Sequence, residues 1–242
     1  MTFQSNLGGS SGGPGAQPMG YDARQGALVQ GAFLTQAFFW MFAGLLVTAA
    51  IAAFAQFNEP LVEFAANNFF ILIIAQVGLA LGIQLGIGRM NATLALGLFF
   101  VYAASLGVTI GAIISILYPL ESVAAAFFSA SAMFGGAALY GYTTKRSLAS
   151  IGGFAYMAAF GLFVAMIVNV FLGSGPIGFV ISIVGVILFT ILTAWDVQRI
   201  QAGQLVQMTG SVEKAAVLGA LHLYLDFVNL FLFLLRLFGG RR

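Results

Sequence analysis

Seven long apolar runs dominate the sequence and restrict it to one class of fold. Each has 19 to 26 residues, and about 20 apolar residues are enough for a helix to cross a bilayer. Barrel strands would instead be segments of about 10 alternating residues. Because lipid offers the backbone no hydrogen-bond partner, the sequence predicts an all-α integral membrane bundle of seven helices. The runs are Gly31–Ala55, Phe69–Ile87, Ala92–Leu117, Ser122–Tyr142, Leu148–Leu172, Ile177–Val197 and Ala215–Phe238.

The composition excludes several other classes of protein. Charged residues make up 7% of the chain, whereas an ordinary soluble domain has roughly a quarter. The formal net charge of +2 is too small and too scattered to indicate nucleic-acid binding. The chain has no cysteine, which rules out disulfides, zinc-thiolate sites and cysteine nucleophiles.

The chain divides into a tail and a membrane domain. Residues 1–30 centre on the Gly- and Ser-rich segment Gly8–Gly15, which buries too little apolar surface to offset the entropy of ordering. The first apolar run begins too late and is too long for a signal peptide. We expect a flexible cytoplasmic tail over residues 1–30 and one seven-helix domain over residues 31–242.

The basic residues predict the orientation in the membrane, because loops rich in lysine and arginine stay cytoplasmic. One side carries six of them, whereas the loops on the other side carry none and only Arg241 and Arg242 follow at the end, which predicts a cytoplasmic amino terminus in an inner or plasma membrane. An odd number of spans then places the carboxyl terminus outside. The basic residues on the predicted inner side are Arg24, Arg89, Lys145, Arg146, Arg199 and Lys214.

Charged residues inside the predicted spans are the first candidates for function, because each costs at least about 2.5 to 3.5 kcal/mol to insert. There are three, Asp196, Asp226 and Arg236. On the seventh span, His222, Asp226 and Asn229 follow steps of four and three, so they share one stripe of the helix. The stripe predicts either a pore lining, with His222 tuning Asp226, or a polar seam that only fixes helix packing.

Asp196 allows two interpretations. Arg199 lies three residues after it, which is typical of a simple interfacial ion pair. If Asp196 instead met Asp226, the two carboxylates would share a proton and respond to pH. Deprotonated, the pair would offer oxygen ligands that suit a transient Ca²⁺. Arg89, at the cytoplasmic end of the second span, is either a latch for Asp196 or a positive-inside anchor. If both helices start at the predicted outer surface, the two carboxylates would differ in depth within the membrane by about 10 Å.

Four stretches carry a resemblance to a known family. The run Leu223–Gly239, which reads LYLDFVNLFLFLLRLFG, closely resembles the signature of the transmembrane Bax inhibitor motif family in its bacterial branch. Ala194–Ile200, Met41–Ala49 and Tyr102–Thr109 are similar to the same family. The resemblance covers about residues 20 to 242.

The resemblance implies a fold and a function. The fold would be a seven-helix bundle with the last helix at its centre, and the function a pH-sensitive calcium leak without a cofactor. The family's two central aspartates match Asp196 and Asp226, and its latch arginine would fall at Arg89. Protonation of Asp196 would then release the latch and let the second span move away from the seventh. The implied partners are the lipid bilayer, protons and Ca²⁺ as the conducted ion.

Two other classes of function were weighed. A di-aspartyl intramembrane protease would need Gly-x-Gly-Asp and a later Pro-Ala-Leu, but Leu223, Tyr224 and Leu225 precede Asp226 and no proline follows Pro176. We therefore expect no enzyme. The open alternative is a membrane adaptor that binds and regulates another membrane protein, such as a protease or a cell-death factor, without transporting ions.

Overall fold

The structure, a computed structural model, describes residues 19–239, with side chains from Phe33 onward. Throughout this part of the chain the secondary structure is helical, and seven of the helices are long and apolar enough to cross a membrane. The predicted all-α seven-helix membrane bundle is confirmed. The helices are α1 (Met19–Ala55), α2 (Glu59–Asn67), α3 (Phe69–Gly86), α4 (Ala92–Leu117), α5 (Leu120–Thr143), α6 (Ala149–Leu172), α7 (Gly175–Gln201), α8 (Gln204–Thr209) and α9 (Val212–Gly239).

Apart from the start of α1, the spanning helices α1, α3, α4, α5, α6, α7 and α9 follow the predicted runs closely, and capping side chains mark the start of α4 and α7. The side chain of Asn91 accepts a hydrogen bond from the Leu94 backbone N at 2.7 Å and starts α4 at the predicted residue. Ser174 caps α7 in the same way. Pro176 lies in the first turn of α7, where a missing N–H costs nothing.

The two longer connections contain the short helices. Asn58 caps α2 by accepting from the Leu61 backbone N at 3.1 Å. The sixth span continues past its predicted end at Val197 to Gln201, as expected from the polar sequence there. Gly203 and Gly210 then adopt left-handed backbone conformations, with φ of 69° and 67°, and bracket α8. These two glycines turn the chain from α7 back into α9.

Helix α1 begins before the predicted span. It starts at Met19, inside the segment that the sequence indicates as a tail, so residues 19–30 are helical. Residues 1–18 lie outside the described residues, and for them the flexible tail stays a prediction.

The last helix is the most deeply buried of the seven spans. In the 18-residue apolar stretch that identifies each span, 78% of the residues of α9 are buried, compared with 17% in α3 and in α6. Helix α9 packs against α1, α4, α5, α7 and α8. Tyr224 is fully buried on it, with its ring edge-to-face against Phe99 and Tyr102. This burial agrees with the expected central position of α9, which itself stays a prediction.

Candidate functional site

A polar cavity lies where α3 and α6 approach α7 and α9. It has a volume of about 250 Å³ and gathers four of the residues predicted for the site, Asp196, Asp226, His222 and Asn229. The two helices at its margin, α3 and α6, are the least buried of the seven spans. The cavity is lined by Gln84, Tyr156, Ala159, Phe160, Phe189, Leu192, Asp196, His222, Leu225, Asp226 and Asn229.

Asp226 occupies the middle of its helix. It lies fourteen residues after Val212 and thirteen before Gly239, the two ends of α9. The residue is 4% exposed, and its Oδ2 atom has no hydrogen-bond partner among residues 33–239. A buried polar atom without a protein partner is rare in folded proteins. The carboxyl group of Asp226 is therefore available to a small guest in the cavity.

Asp196 is held at its end of the cavity by its own helix. Arg199 Nη1 donates a hydrogen bond of 3.1 Å to Asp196 Oδ1, and the two side chains form an ion pair. The guanidinium of Arg199 also lies over the Trp195 ring, 4.4 Å from its centroid. The local i,i+3 ion pair, one of the two interpretations of this aspartate, is thus present.

His222 links α9 to Asp196. Its Nδ1 atom lies 3.7 Å from Asp196 Oδ1 and has no hydrogen-bond partner. His222 precedes Asp226 by four residues, about 6 Å along the helix axis. Asp196 therefore meets α9 one turn before Asp226, a smaller offset than the 10 Å expected from the sequence. No hydrogen bond joins the two carboxylates within residues 33–239, so their direct contact stays a prediction.

Asn229 completes the polar stripe on α9. Its Nδ2 atom donates a hydrogen bond of 2.8 Å to the Leu225 carbonyl of the preceding turn. Part of the Asn229 amide is therefore already bonded within its own helix. Across residues 33–239, no group of three or more His, Asp or Glu side chains is arranged to hold a metal ion. Transient binding of Ca²⁺ by Asp196 and Asp226 stays a prediction.

Arg89 lies in the turn that follows α3. Its side chain is exposed, and its backbone N donates to the Gly86 carbonyl at 2.9 Å. The ion pair of Asp196 is made with Arg199, not with Arg89. Lys214 Nζ donates a hydrogen bond of 3.2 Å to the Gly88 carbonyl. This bond connects the turn that carries Arg89 to the start of α9. The latch role of Arg89 stays a prediction.

Seven residues of the cavity lining are not among the site residues predicted from the sequence, and three of these come from the margin helices α3 and α6 and carry polar or aromatic groups. Gln84 contributes from α3, and Tyr156 and Phe160 contribute from α6. Gln84 could have been noticed, because only one other polar residue, Gln76, lies within α3. Tyr156 and Phe160 carry no comparable signal, because α6 is apolar on nearly every face.

Comparison with known proteins places the chain among bacterial membrane proteins. The family described as inhibitor of apoptosis-promoting Bax1 matches residues 30–242. The inner membrane protein YbhL of Escherichia coli is 40% identical over 216 residues, which cover 87% of this chain and 92% of that protein. An uncharacterized protein of Borreliella burgdorferi is 37% identical over 224 residues, covering 90% of this chain and 96% of the relative.

Proposed function

The chain belongs to the Bax inhibitor-like family, and from this premise we propose that it is a pH-sensitive calcium leak channel gated at Asp196 and Asp226. Ca²⁺ is the conducted ion, and the proposal involves no cofactor and no catalysis. Its proposed location is an inner membrane, like that of YbhL. The amino terminus would be cytoplasmic and the carboxyl terminus outside.

The unpartnered carboxylate of Asp226 carries the proposal. It lies halfway along a spanning helix and faces a cavity large enough for several waters. Retaining such a group inside a membrane is costly, so it is expected to serve an ion or proton path. A carboxylate oxygen is a ligand that Ca²⁺ prefers. A single pair of carboxylates suits passage better than permanent binding, because Ca²⁺ usually takes six to eight ligands.

The packing of the margin helices supports a gate. Helices α3 and α6 form the margin of the cavity, and in the most apolar stretch of each only 17% of the residues are buried. Helix α3 packs mainly against α4, and α6 packs against α7. Either helix therefore moves at a smaller cost in buried contacts than α9. A displacement of α3 would carry Gln84 away from the cavity and open it.

The proton acts at Asp196 in this scheme. While Asp196 is ionised, its hydrogen bond to Arg199 holds the carboxylate at the α7 end of the cavity. Protonation removes the charge that attracts Arg199, so the side chain is released and the polar path widens. Arg89 would act as a second cationic partner that holds ionised Asp196 in the closed state, as the latch that the resemblance implies.

The proposal is tested by calcium entry into dye-loaded proteoliposomes that contain only this protein, across a pH series. We expect flux above that of empty liposomes, with a clear dependence on pH. Asp196→Asn should flatten the pH profile, and Asp226→Asn should reduce the flux at every pH. Arg89→Gln should raise the flux at the pH where the wild-type protein is least active.

Glu121→Gln is the matched control for the two aspartate variants, because it makes the same chemical change on an exposed residue of α5 away from the cavity. Its flux and pH profile should equal those of the wild-type protein. A wild-type protein that moves no calcium at any pH would contradict the channel and favour the adaptor function. Flux that is unchanged in Asp226→Asn would remove Asp226 from the path.

A further inference from the structure

A second opening in the bundle lies on the other side of α9 and is almost wholly apolar. It is a groove of about 340 Å³ between α1, α4 and α5. Its floor is formed by Phe227, Val228 and Phe231 of α9, each less than a tenth exposed. Helix α5 packs against α7 and α9, which leaves the gap between its amino-terminal half and α1.

Small residues shape this groove. Ala49 and Ala53 line it from α1, and Ala124 lines it from α5. All three alanines are exposed, and larger side chains at these positions would fill the space. Phe127 and Phe128 lie at the mouth, 48% and 71% exposed. The groove is therefore open on one side rather than closed inside the protein.

Water is a poor occupant of the groove, because a buried water needs two to four polar partners. Only two polar side chains, Thr48 and Gln56, line it. The hydroxyl of Thr48 is already bonded to the Gly44 and Ala103 carbonyls and to the Tyr224 hydroxyl. Gln56 lies just past the last residue of α1, at the outer end of the groove.

The mouth of the groove lies between helices that are apolar enough to cross a membrane, so it is expected to face the hydrocarbon. Its walls belong to the apolar spans Phe33–Ala55, Ala92–Leu117 and Leu120–Thr143, so it is continuous with the surface that faces lipid. A transmembrane helix of a partner is too wide to enter, since a cylinder of about 10 Å diameter fills such a volume in less than one turn. A flexible unbranched chain has the right width and is already present beside the groove.

We propose that the groove binds one acyl chain of a membrane lipid, from the leaflet that adjoins the end of α1 and the start of α5. The chain enters beside Gln56 and Leu120 and reaches α9 at Phe227 and Val228. It thereby contacts the two residues that follow Asp226 in sequence. This site is distinct from the polar cavity, and its occupancy does not depend on ion transport.

The test uses the full chain in phosphatidylethanolamine liposomes that contain a lipid with a photoreactive diazirine on its acyl chain. After illumination, the labelled residues are identified by peptide mass spectrometry. We expect labels on α9 at Phe227–Phe231 as well as on freely exposed residues such as Phe171, which is 84% exposed. Labels on Phe171 without any on α9 would overturn the proposal.

Filling variants from the two walls sharpen the test. Ala49→Phe and Ala124→Phe should each lose the α9 labels and keep those on Phe171, and the thermal unfolding of each variant in detergent shows whether the bundle has folded. Ala50→Phe is the matched control, because Ala50 is the exposed neighbour of Ala49 and does not line the groove. It should keep both sets of labels. Unchanged α9 labelling in both filling variants would contradict the proposal.

A protein segment in the groove is the competing outcome. The labelling is repeated in native membranes that contain the same diazirine lipid. Labels on α9 in both preparations support an acyl chain as the occupant. Labels on α9 in liposomes that disappear in native membranes would assign the groove to a protein partner and overturn the lipid proposal.

Discussion

Nδ1 of His222 lies 3.7 Å from Oδ1 of Asp196, so α9 meets the carboxylate of α7 one turn before Asp226. The same oxygen accepts the hydrogen bond from Arg199. Asp196 is thus surrounded by two nitrogen-bearing side chains, whereas Oδ2 of Asp226 has no partner. The two aspartates have unequal surroundings, which suggests that Asp196 is the held member of the pair and Asp226 the open one.

The unequal surroundings predict opposite effects on stability. Asp226→Asn exchanges a buried ionisable carboxyl for a neutral amide and so removes the cost of burying a charge, which means that the variant should be no less stable than the wild-type protein. Asp196→Asn removes the partner of Arg199 and should be destabilising, because an unpaired charge remains partly buried. Thermal unfolding in detergent at pH 7 measures both.

The flux assay gives this prediction a second readout. A gain in stability together with a loss of calcium flux in Asp226→Asn would identify a residue retained for function at a cost in stability. A clear loss of stability would mean that Asp226 has a structural partner in the folded protein, and would contradict the open carboxylate.

Trp195 should report the state of the Asp196–Arg199 ion pair. The guanidinium of Arg199 lies 4.4 Å from the centre of the Trp195 ring, and such cation–π contacts are worth about 0.5 to 1 kcal/mol at exposed sites. The chain has two tryptophans, so Trp40→Phe leaves Trp195 as the only one. We expect its fluorescence to change on acidification, as Arg199 is released.

The double variant Trp40→Phe/Asp196→Asn provides the control. It cannot release Arg199 by protonation, so its emission should be insensitive to pH over the same range. An equal pH response in the double variant would show that the fluorescence change does not come from the Asp196–Arg199 ion pair. Arg199→Gln in the same background should give the emission of the released state at every pH.

The fold could be predicted from the sequence largely because the thickness of a membrane sets the minimum length of each spanning helix. Runs of 19 to 26 apolar residues fix the number of spans, and Asn91 and Ser174 fix where helices begin. The short helices α2 and α8 are not predicted from the apolar runs, because they have only 9 and 6 residues and are too short to cross a membrane. The start of α1 at Met19 was missed because its first residues are not part of the apolar run.

The site was predictable only in part. A polar stripe on an apolar helix predicts which face of α9 turns inward, and His222, Asp226 and Asn229 of that stripe all line the cavity. The rotation of α6 has no such signal, and the contribution of Tyr156 could not be foreseen. The depth of Asp196 along the bundle axis depends on the tilt of α7 and on how the helices pack. A hydropathy pattern gives no information on either of these.

The Thr48–Tyr224 hydrogen bond predicts a graded effect on stability. The two hydroxyl oxygens lie 2.6 Å apart and join α1 to α9. Tyr224→Phe removes one buried hydrogen bond and should cost about 0.5 to 1.5 kcal/mol. Thr48→Val should cost more, because Thr48 also donates toward Ala103 and Gly44 and its loss leaves the Tyr224 hydroxyl buried without this partner.

Thr190→Val is the matched control for this prediction. Its hydroxyl bonds the Val186 carbonyl of its own helix at 2.7 Å, and it joins no second helix. Chemical denaturation in mild detergent should therefore rank Thr190→Val nearest the wild-type protein and Thr48→Val furthest from it. Equal losses in the two threonine variants would contradict a specific role for the link between α1 and α9.

Two glycines on α5 should respond oppositely to the same substitution. A Cβ atom on Gly141 would collide with the backbone carbonyl of Ala194 on α7, whereas a Cβ on Gly136 would have nothing within 4 Å. Backbone cannot move aside as a flexible side chain can, so Gly141→Ala should force α5 and α7 apart and cost about 1 to 3 kcal/mol. Gly136→Ala should be neutral or stabilising by up to about 1 kcal/mol, through helix propensity.

This pair of variants also tests whether the geometry of α7 controls the site. Ala194 is two residues before Asp196, so a displacement of α7 at Gly141 would move the carboxylate relative to His222. We expect Gly141→Ala to alter the pH profile of calcium flux as well as lower the unfolding temperature, and Gly136→Ala to leave the pH profile unchanged. If Gly141→Ala unfolds at the wild-type temperature with an unaltered flux, the close contact between α5 and α7 is not present in the folded protein.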